Sequence, residues 1–148
     1  MTALWGIHND QSSLDLVEGG FISIGWDDLG DLSTSAIDRE TLKLRLAETR
    51  PEAKPGAIPV WAGVIYRFTA EMQVGDYVIS PNKADRTLNF GIIDSDFYVE
   101  PAAEVHITRR RVRWIKTDVP RDDFSKGALH EIGSAVTLFG VKNHANEF

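Results

Sequence analysis

The sequence predicts an α+β fold: a small curled β-sheet closing into a barrel, with helices on its flanks. Three observations predict it. The stretch Met72 to Pro101 reads as a long β-hairpin. Gly91 interrupts its second strand, as a bulge or a close backbone approach would require. Four further short apolar runs read as strands, while one run beginning at Pro59 has the period of a helix. A bent, glycine-marked hairpin is what a small sheet needs in order to close.

Leu4 to His8 is the first short strand, and Asn9 to Ser13 a polar turn. Leu14, Leu16 and Val17 fit one helical turn stopped by Gly19-Gly20. Phe21 to Trp26 is the second strand, followed by the acidic turn Asp27-Asp28-Leu29-Gly30-Asp31. Ser35 to Thr49 reads as a helix, with Ser35 to Asp38 resembling a capping box. Leu42, Leu44 and Leu46 alternate with charges there, so the same stretch also fits a strand. Arg50-Pro51 ends it, and Glu52 to Ile58 is a loop. From Pro59, a good first-turn residue, Val60, Trp61, Val64, Ile65, Phe68 and Met72 recur at helical spacing.

In the hairpin, Gly75-Asp76 launches the strand Tyr77-Val78-Ile79, which Pro81 ends. Asn82 to Thr87 is a polar loop, and Leu88 to Val99 returns. Val105 to Lys116 is a further strand whose apolar phase changes between Ile107 and Val112, predicting a bulge over Arg109 to Arg111. Pro120 to Asp123 is a turn, Phe124 to Ile132 a short helix, and Val136 to Val141 the last strand.

The 148 residues fit one domain with a sizeable core. No apolar run approaches a membrane span, and no signal-peptide pattern opens the chain, so the simplest expectation is a cytoplasmic protein with no membrane partner. Cysteine is absent, which excludes disulfides, thiolate nucleophiles and cysteine-bound zinc. The net charge of −6 argues mildly against nucleic acid. Its distribution argues the other way. Residues 1–40 hold eight acids and a single base, Arg39, whereas Arg109, Arg110, Arg111, Arg113 and Lys116 form a basic strip without an acid. Screening confines electrostatics to roughly 8–10 Å, so a local strip still attracts phosphate.

Four motifs carry a resemblance: Leu4 to Ile7, Glu18 to Asp27, Val74 to Pro81 and Phe90 to Ile93. Together with the tail Leu129 to Val141, they are similar to the amino-terminal domain found ahead of Mrr-type restriction endonuclease domains. That domain resembles the EVE/PUA-like superfamily of small pseudo-barrels. The resemblance covers almost the whole chain. It implies a PUA-like/EVE-like β pseudo-barrel over residues 1–148, standing alone or as the N-terminal part of a longer restriction protein. It also implies a reader of RNA or of a modified, for example methylated or hydroxymethylated, base in DNA, serving a nuclease domain in cis or in trans. No metal-binding nuclease motif is present, so the chain is expected to bind without catalysis and without a cofactor.

A reader needs a flat apolar wall, hydrogen bonds to a base edge and phosphate anchors. Trp26 at a barrel mouth is the first candidate for the wall, with Trp5, Tyr77 and Phe90; Trp26 fits an ordinary core position equally well. Trp61, on a helix's apolar face, reads as core, and Trp114 and Phe90 lean the same way. Asp27 can accept from an exocyclic amino group, but a capping or turn aspartate is the more common role. Ser80, Asn82, Lys83 and Arg86 lie where the hairpin opens. Ser80 is a base-edge candidate, while Asn82, Lys83 and Arg86 either reach phosphate or merely solvate the loop. If no bulge intervenes, alternation puts Arg109, Arg111 and Arg113 on one strand face, where they read as a phosphate-tracking strip or as partners of the acidic first third. His8, His106, His130 and His144 are scattered, with none at metal-ligand spacing. Neither a nucleophile elbow nor a phosphate-binding glycine loop occurs. The Asp27, Asp28 and Asp31 turn is more readily a solvated loop than a cation site.

Overall fold

The computed structural model describes residues 2–9, 15–30, 32, 38–82, 87–133, 137–143 and 145–148. The candidates Lys83 and Arg86 lie outside the described residues. In chain order the elements are β1 (Leu4–Ile7), α1 (Leu16–Gly19), β2 (Phe21–Ile24), α2 (Arg39–Thr49) and α3 (Ala57–Tyr66). The chain continues with β3 (Tyr77–Pro81), β4 (Leu88–Ile93), β5 (Tyr98–Val99), β6 (Thr108–Val119), α4 (Lys126–Ile132) and β7 (Leu138–Gly140). No helix among the described residues is long and apolar enough to cross a membrane.

The seven strands form one curled sheet in the order β2-β6-β4-β3-β1-β7, with β5 also on β6. β1 runs parallel to β3 and every other pairing is antiparallel. The sheet is a half-barrel, with β2 and β7 at its two ends among the described residues. The predicted hairpin is its centre: Tyr77 faces Ile92 and Pro81 faces Leu88. Its second strand is shorter than expected, and Tyr98–Val99 pairs separately with the start of β6.

Gly91 marks a close approach, since a Cβ there would overlap Val112 and lie 2.9 Å from Trp114. The accompanying irregularity falls on β6. Phe90 pairs with Lys116 and Gly91 with Trp114, which leaves Ile115 as the extra residue. The bulge predicted over Arg109 to Arg111 is absent, because β2 pairs in unbroken register from Phe21–Arg111 to Ile24–Thr108. Val105 and Ile107 precede β6 and do not set its phase. Thr108, Arg110 and Val112 point inward, whereas Arg111 and Arg113 are exposed.

Two apolar layers cover the sheet. One face packs against α2 and α3 through Leu42, Leu46, Val64, Ile65 and Phe68, with Ile7, Val78, Ile93 and Val112 from the strands. In α2 the buried residues are Leu42 and Leu46, while Leu44 is 68% exposed; the four-residue spacing settles the helix over the strand. Asp38 caps its first turn by accepting from the Thr41 N–H at 2.7 Å. The opposite face carries Ile79 and Leu88 beneath α4, with Phe90, Phe124 and Phe148 in mutual ring contact.

Arg110 joins helix to sheet. The helix begun by α3 widens into a π-turn at Arg67–Glu71, leaving carbonyls without helical partners. The Arg110 guanidinium, buried from β6, donates to Phe68 O at 2.7 Å, Met72 O at 2.8 Å and Ser95 O at 3.0 Å. Burial pulls its pKa below the ordinary value, partly countered by Asp96 and Asp76; guanidinium still remains charged. The middle of the basic strip therefore caps a helix from inside the protein.

Candidate functional site

The feature that gathers the most chemistry is a cleft of about 830 Å³. That volume lies within the range of small-ligand sites. Its lining comes from four places: His8 and Asn9 after β1, Gly25 to Asp28 after β2, Pro81 and Asn82 at the end of β3, and Val105 and His106 before β6. Arg50, Trp61, Arg121 and Thr137 complete it.

Trp26 does not end β2 as a strand residue. Its backbone is left-handed, φ 62°, and this turn swings the indole into the cleft wall. There it meets Trp61 of α3, ring centroids 6.4 Å apart and planes inclined at 52°. Both rings are half-buried and rest on the main core. Helical periodicity assigned Trp61 to the core, but only part of it is covered. Arg50, at the end of α2, lies over the Trp61 ring at 5.4 Å. The same guanidinium holds Asp28 through two bonds of 3.0 Å, from Nε and Nη2. This hydrogen bonding lowers the Asp28 pKa and raises that of Arg50.

A clamp on residues 105–107 builds the other side. Asp27 accepts the backbone N–H of His106 at 2.7 Å and of Ile107 at 2.9 Å, one on each carboxylate oxygen. Arg109 binds the opposite edge of the same loop, donating from Nε to His106 O at 2.8 Å and from Nη2 to Val105 O at 3.2 Å. Its guanidinium also lies over Phe21, 4.1 Å from the ring centre. The clamp holds His106 at φ 54°, a second left-handed backbone in the cleft wall. Ser23 Oγ meets His106 Nδ1 at 2.9 Å and fixes the ring plane beside Gly25.

At the hairpin end, Asn82 belongs to a small amide network. It donates to Thr87 Oγ1 and Asp118 Oδ1, each at 2.9 Å, and accepts from Asn89 Nδ2 at 2.8 Å. Asp118 is the third non-glycine residue with positive φ among the described residues, at 54°.

Of the residues singled out from the sequence, Trp26, Asp27 and Asn82 thus meet in the cleft. Trp5, Tyr77 and Ser80 do not line it. Trp5 is buried and donates its indole N–H to Asp76 at 2.9 Å. Tyr77 is exposed at the opposite end of β3, and Ser80 is buried within that strand. Arg109 is committed to the protein's own backbone. Arg111 lies over Tyr98 at 5.4 Å, and it and Arg113 face solvent on β6 outside the cleft. Trp61, Arg50, His106 and Arg121 were not singled out for the site. For Arg50 and Arg121, nothing local in the sequence distinguishes them from other surface bases. For His106, its place beside the basic strip was the only signal. No group of three or more metal-ligating side chains occurs among the described residues.

Comparison with known proteins gives one positive result. The family described as Domain of unknown function (DUF8426) matches residues 3–135. No curated protein and no solved structure matches the chain. Since the match spans most of its length, the chain belongs to the DUF8426 family.

Proposed function

We propose that the cleft grips a single unstacked base, and that the protein is a nucleic-acid reader for a modified base in DNA, without catalysis of its own. The observation that carries this reading is the inclined Trp26–Trp61 pair in an open cleft rimmed by polar groups. Indole faces hold a base of any identity, at roughly 1–3 kcal/mol per stacked base. Discrimination then falls to groups at the base edge, and His106 and Asn82 supply them here. Arg50 and Arg121 are the arginines of the described cleft lining and would serve a bound nucleotide's phosphates. Two of the three strained non-glycine backbones, Trp26 and His106, line this one cleft; strain of this kind concentrates at functional sites. The resemblance of the sequence to domains ahead of Mrr-type nucleases supports the same reading. In that setting the reader directs a nuclease, in cis or in trans, to modified DNA.

A second reading, RNA or a free nucleotide as ligand on a PUA-like fold, is favoured by one observation. The protein carries net charge −6, and among the described residues the cleft lining holds two arginines, fewer than a long duplex contact uses. The test is indole fluorescence and competition binding with four probes. These are duplexes carrying methyl- or hydroxymethylcytosine, the unmodified duplex, single-stranded RNA and nucleoside monophosphates. Preference for a modified duplex is expected. Trp61→Ala and Trp26→Gly should each weaken binding about fivefold to 100-fold, the equivalent of one lost stack. Glycine is chosen at 26 because it tolerates the left-handed backbone. Unchanged affinity in both variants overturns the site.

A further inference from the structure

A second convergence of charge lies on α3, away from the cleft. Gly63 is two residues beyond Trp61, so it faces nearly the opposite side of the helix. It is buried, and what covers it is a pair of guanidinium groups. A Cβ built on Gly63 would lie 3.2 Å from Arg67 Nη1 and 3.4 Å from Arg39 Nη1. Two like charges thus meet over one residue that has no side chain. Arg39 is held there by the Tyr66 ring, 5.2 Å below its guanidinium, and by Glu71 on Nη2 at 3.3 Å. Arg67 is held by donation from Nη2 to Leu138 O at 3.0 Å. Neither Nη1 makes a hydrogen bond among the described residues, and the buried Nε of Arg67 has no partner either. Burial and the neighbouring Arg39 charge both press the Arg67 pKa below its ordinary value, with Glu71 countering them.

We propose that Arg39 and Arg67, converging on Gly63, form a binding site for a tetrahedral oxyanion: inorganic phosphate or the terminal phosphate of a larger molecule. Paired guanidinium groups offer N–H donors in the planar geometry that phosphate oxygens accept. The absent side chain at Gly63 lets both guanidinium groups come close to the helix backbone, where any Cβ would crowd the two Nη1 atoms. One anion bridging them would relieve their mutual repulsion more fully than Glu71, which bonds Arg39 alone, at 3.3 Å. Glu71 is then a competitor at the edge of the site, 42% exposed and free to swing out.

The experiment is a titration of isotopically labelled full-length protein with inorganic phosphate, followed by NMR at the Gly63 amide and the Arg39 and Arg67 Nε–H signals. Saturable shifts confined to these groups are expected. Glu71→Gln should tighten the apparent affinity about twofold to fivefold, as removal of a competing surface charge does. Arg39→Gln should abolish saturation while leaving amide signals elsewhere in place; its side chain is 46% exposed, so the fold should tolerate the change. Parallel titrations with a nucleoside monophosphate and with a 5′-phosphorylated oligonucleotide separate free phosphate from a terminal phosphate. Absent or linear shifts, or saturation that persists in Arg39→Gln, overturn the site. Because the Trp26–Trp61 cleft is not perturbed by these variants, the outcome is independent of the base-reading proposal.

Discussion

At Trp26 the cost of a strained backbone is set against the packing of a large ring. A left-handed backbone costs a non-glycine residue about 1–2 kcal/mol, yet Trp26 adopts φ 62° with its indole only partly buried against the core. Trp26→Gly relieves that strain and offsets part of the lost packing. Its melting temperature should therefore fall less than that of Trp61→Ala; differential scanning calorimetry makes the comparison. Arg110 is the contrary case, a charge spent entirely on structure. Its guanidinium satisfies carbonyls of Phe68, Met72 and Ser95 that no other side chain caps among the described residues. Arg110→Leu removes the charge but leaves those acceptors in an apolar setting, so it should cost at least about 3 kcal/mol in chemical denaturation. Arg111→Gln, on the exposed face of the same strand, should change stability by less than about 0.5 kcal/mol.

Among the elements, the short connections do more for the cleft than the strands do. The loop before β6 is gripped on its N–H side by Asp27 and on its carbonyl side by Arg109. Asp27→Ala frees two partly buried donors and should cost about 2 kcal/mol, and on the proposed function it should also weaken base binding as His106 loses its place. Changed chemical shifts of the His106 ring in that variant would reveal the lost contact with Ser23. The link between α2 and the cleft is the Asp28–Arg50 pair. The Asp28 carboxyl sits below the ordinary carboxylate range because Arg50 donates to it. A lowered folded pKa contributes stability that is complete above the ordinary value, about 4, and is lost as pH falls through the lowered one. Acidification through that window should therefore erase the stability difference between the wild type and Asp28→Asn. Thermal melts across the range check this; a gap that widens on acidification refutes it.

The helix α3 and the start of the hairpin were legible in the sequence because their signals are local, whereas α2 also fitted a strand until its burial showed the four-residue spacing. Period 3.6 identified α3, and Gly75-Asp76 with Pro81 bracketed β3. The site was less legible, and the reasons are physical. Helical periodicity shows that Trp61 faces inward, but it cannot show where the layer beneath it ends and a cleft begins. Arg110 and Arg111 are chemically identical, and only the pairing of β6 with β2 decides which one enters the protein. The phase of that strand was misread because Val105 and Ile107 belong to a loop held by a distant aspartate, a contact with no signature in local sequence.

At the scale of the whole molecule, the open question is whether charge or shape governs association. The protein is acidic overall, and its exposed bases on β6 lie outside the cleft. If a nucleic acid is held only at the cleft, Arg50 and Arg121 are the arginines of its described lining, and Arg50 already shares its charge with Asp28. Each neutralised phosphate contributes about −0.9 to the slope of log K against log salt on duplex DNA. A cleft-only contact should therefore give a slope between about −1 and −2. A duplex that also runs along Arg111, Arg113 and Lys116 should steepen it to about −4. The second outcome would return the basic strip to a direct role. It also predicts that Arg113→Gln flattens the slope by close to one phosphate without altering preference among base modifications. A shallow slope that is insensitive to Arg113→Gln would instead mean that the protein selects its ligand by the shape of one aromatic cleft, its outward arginines serving only to limit self-repulsion in an acidic chain.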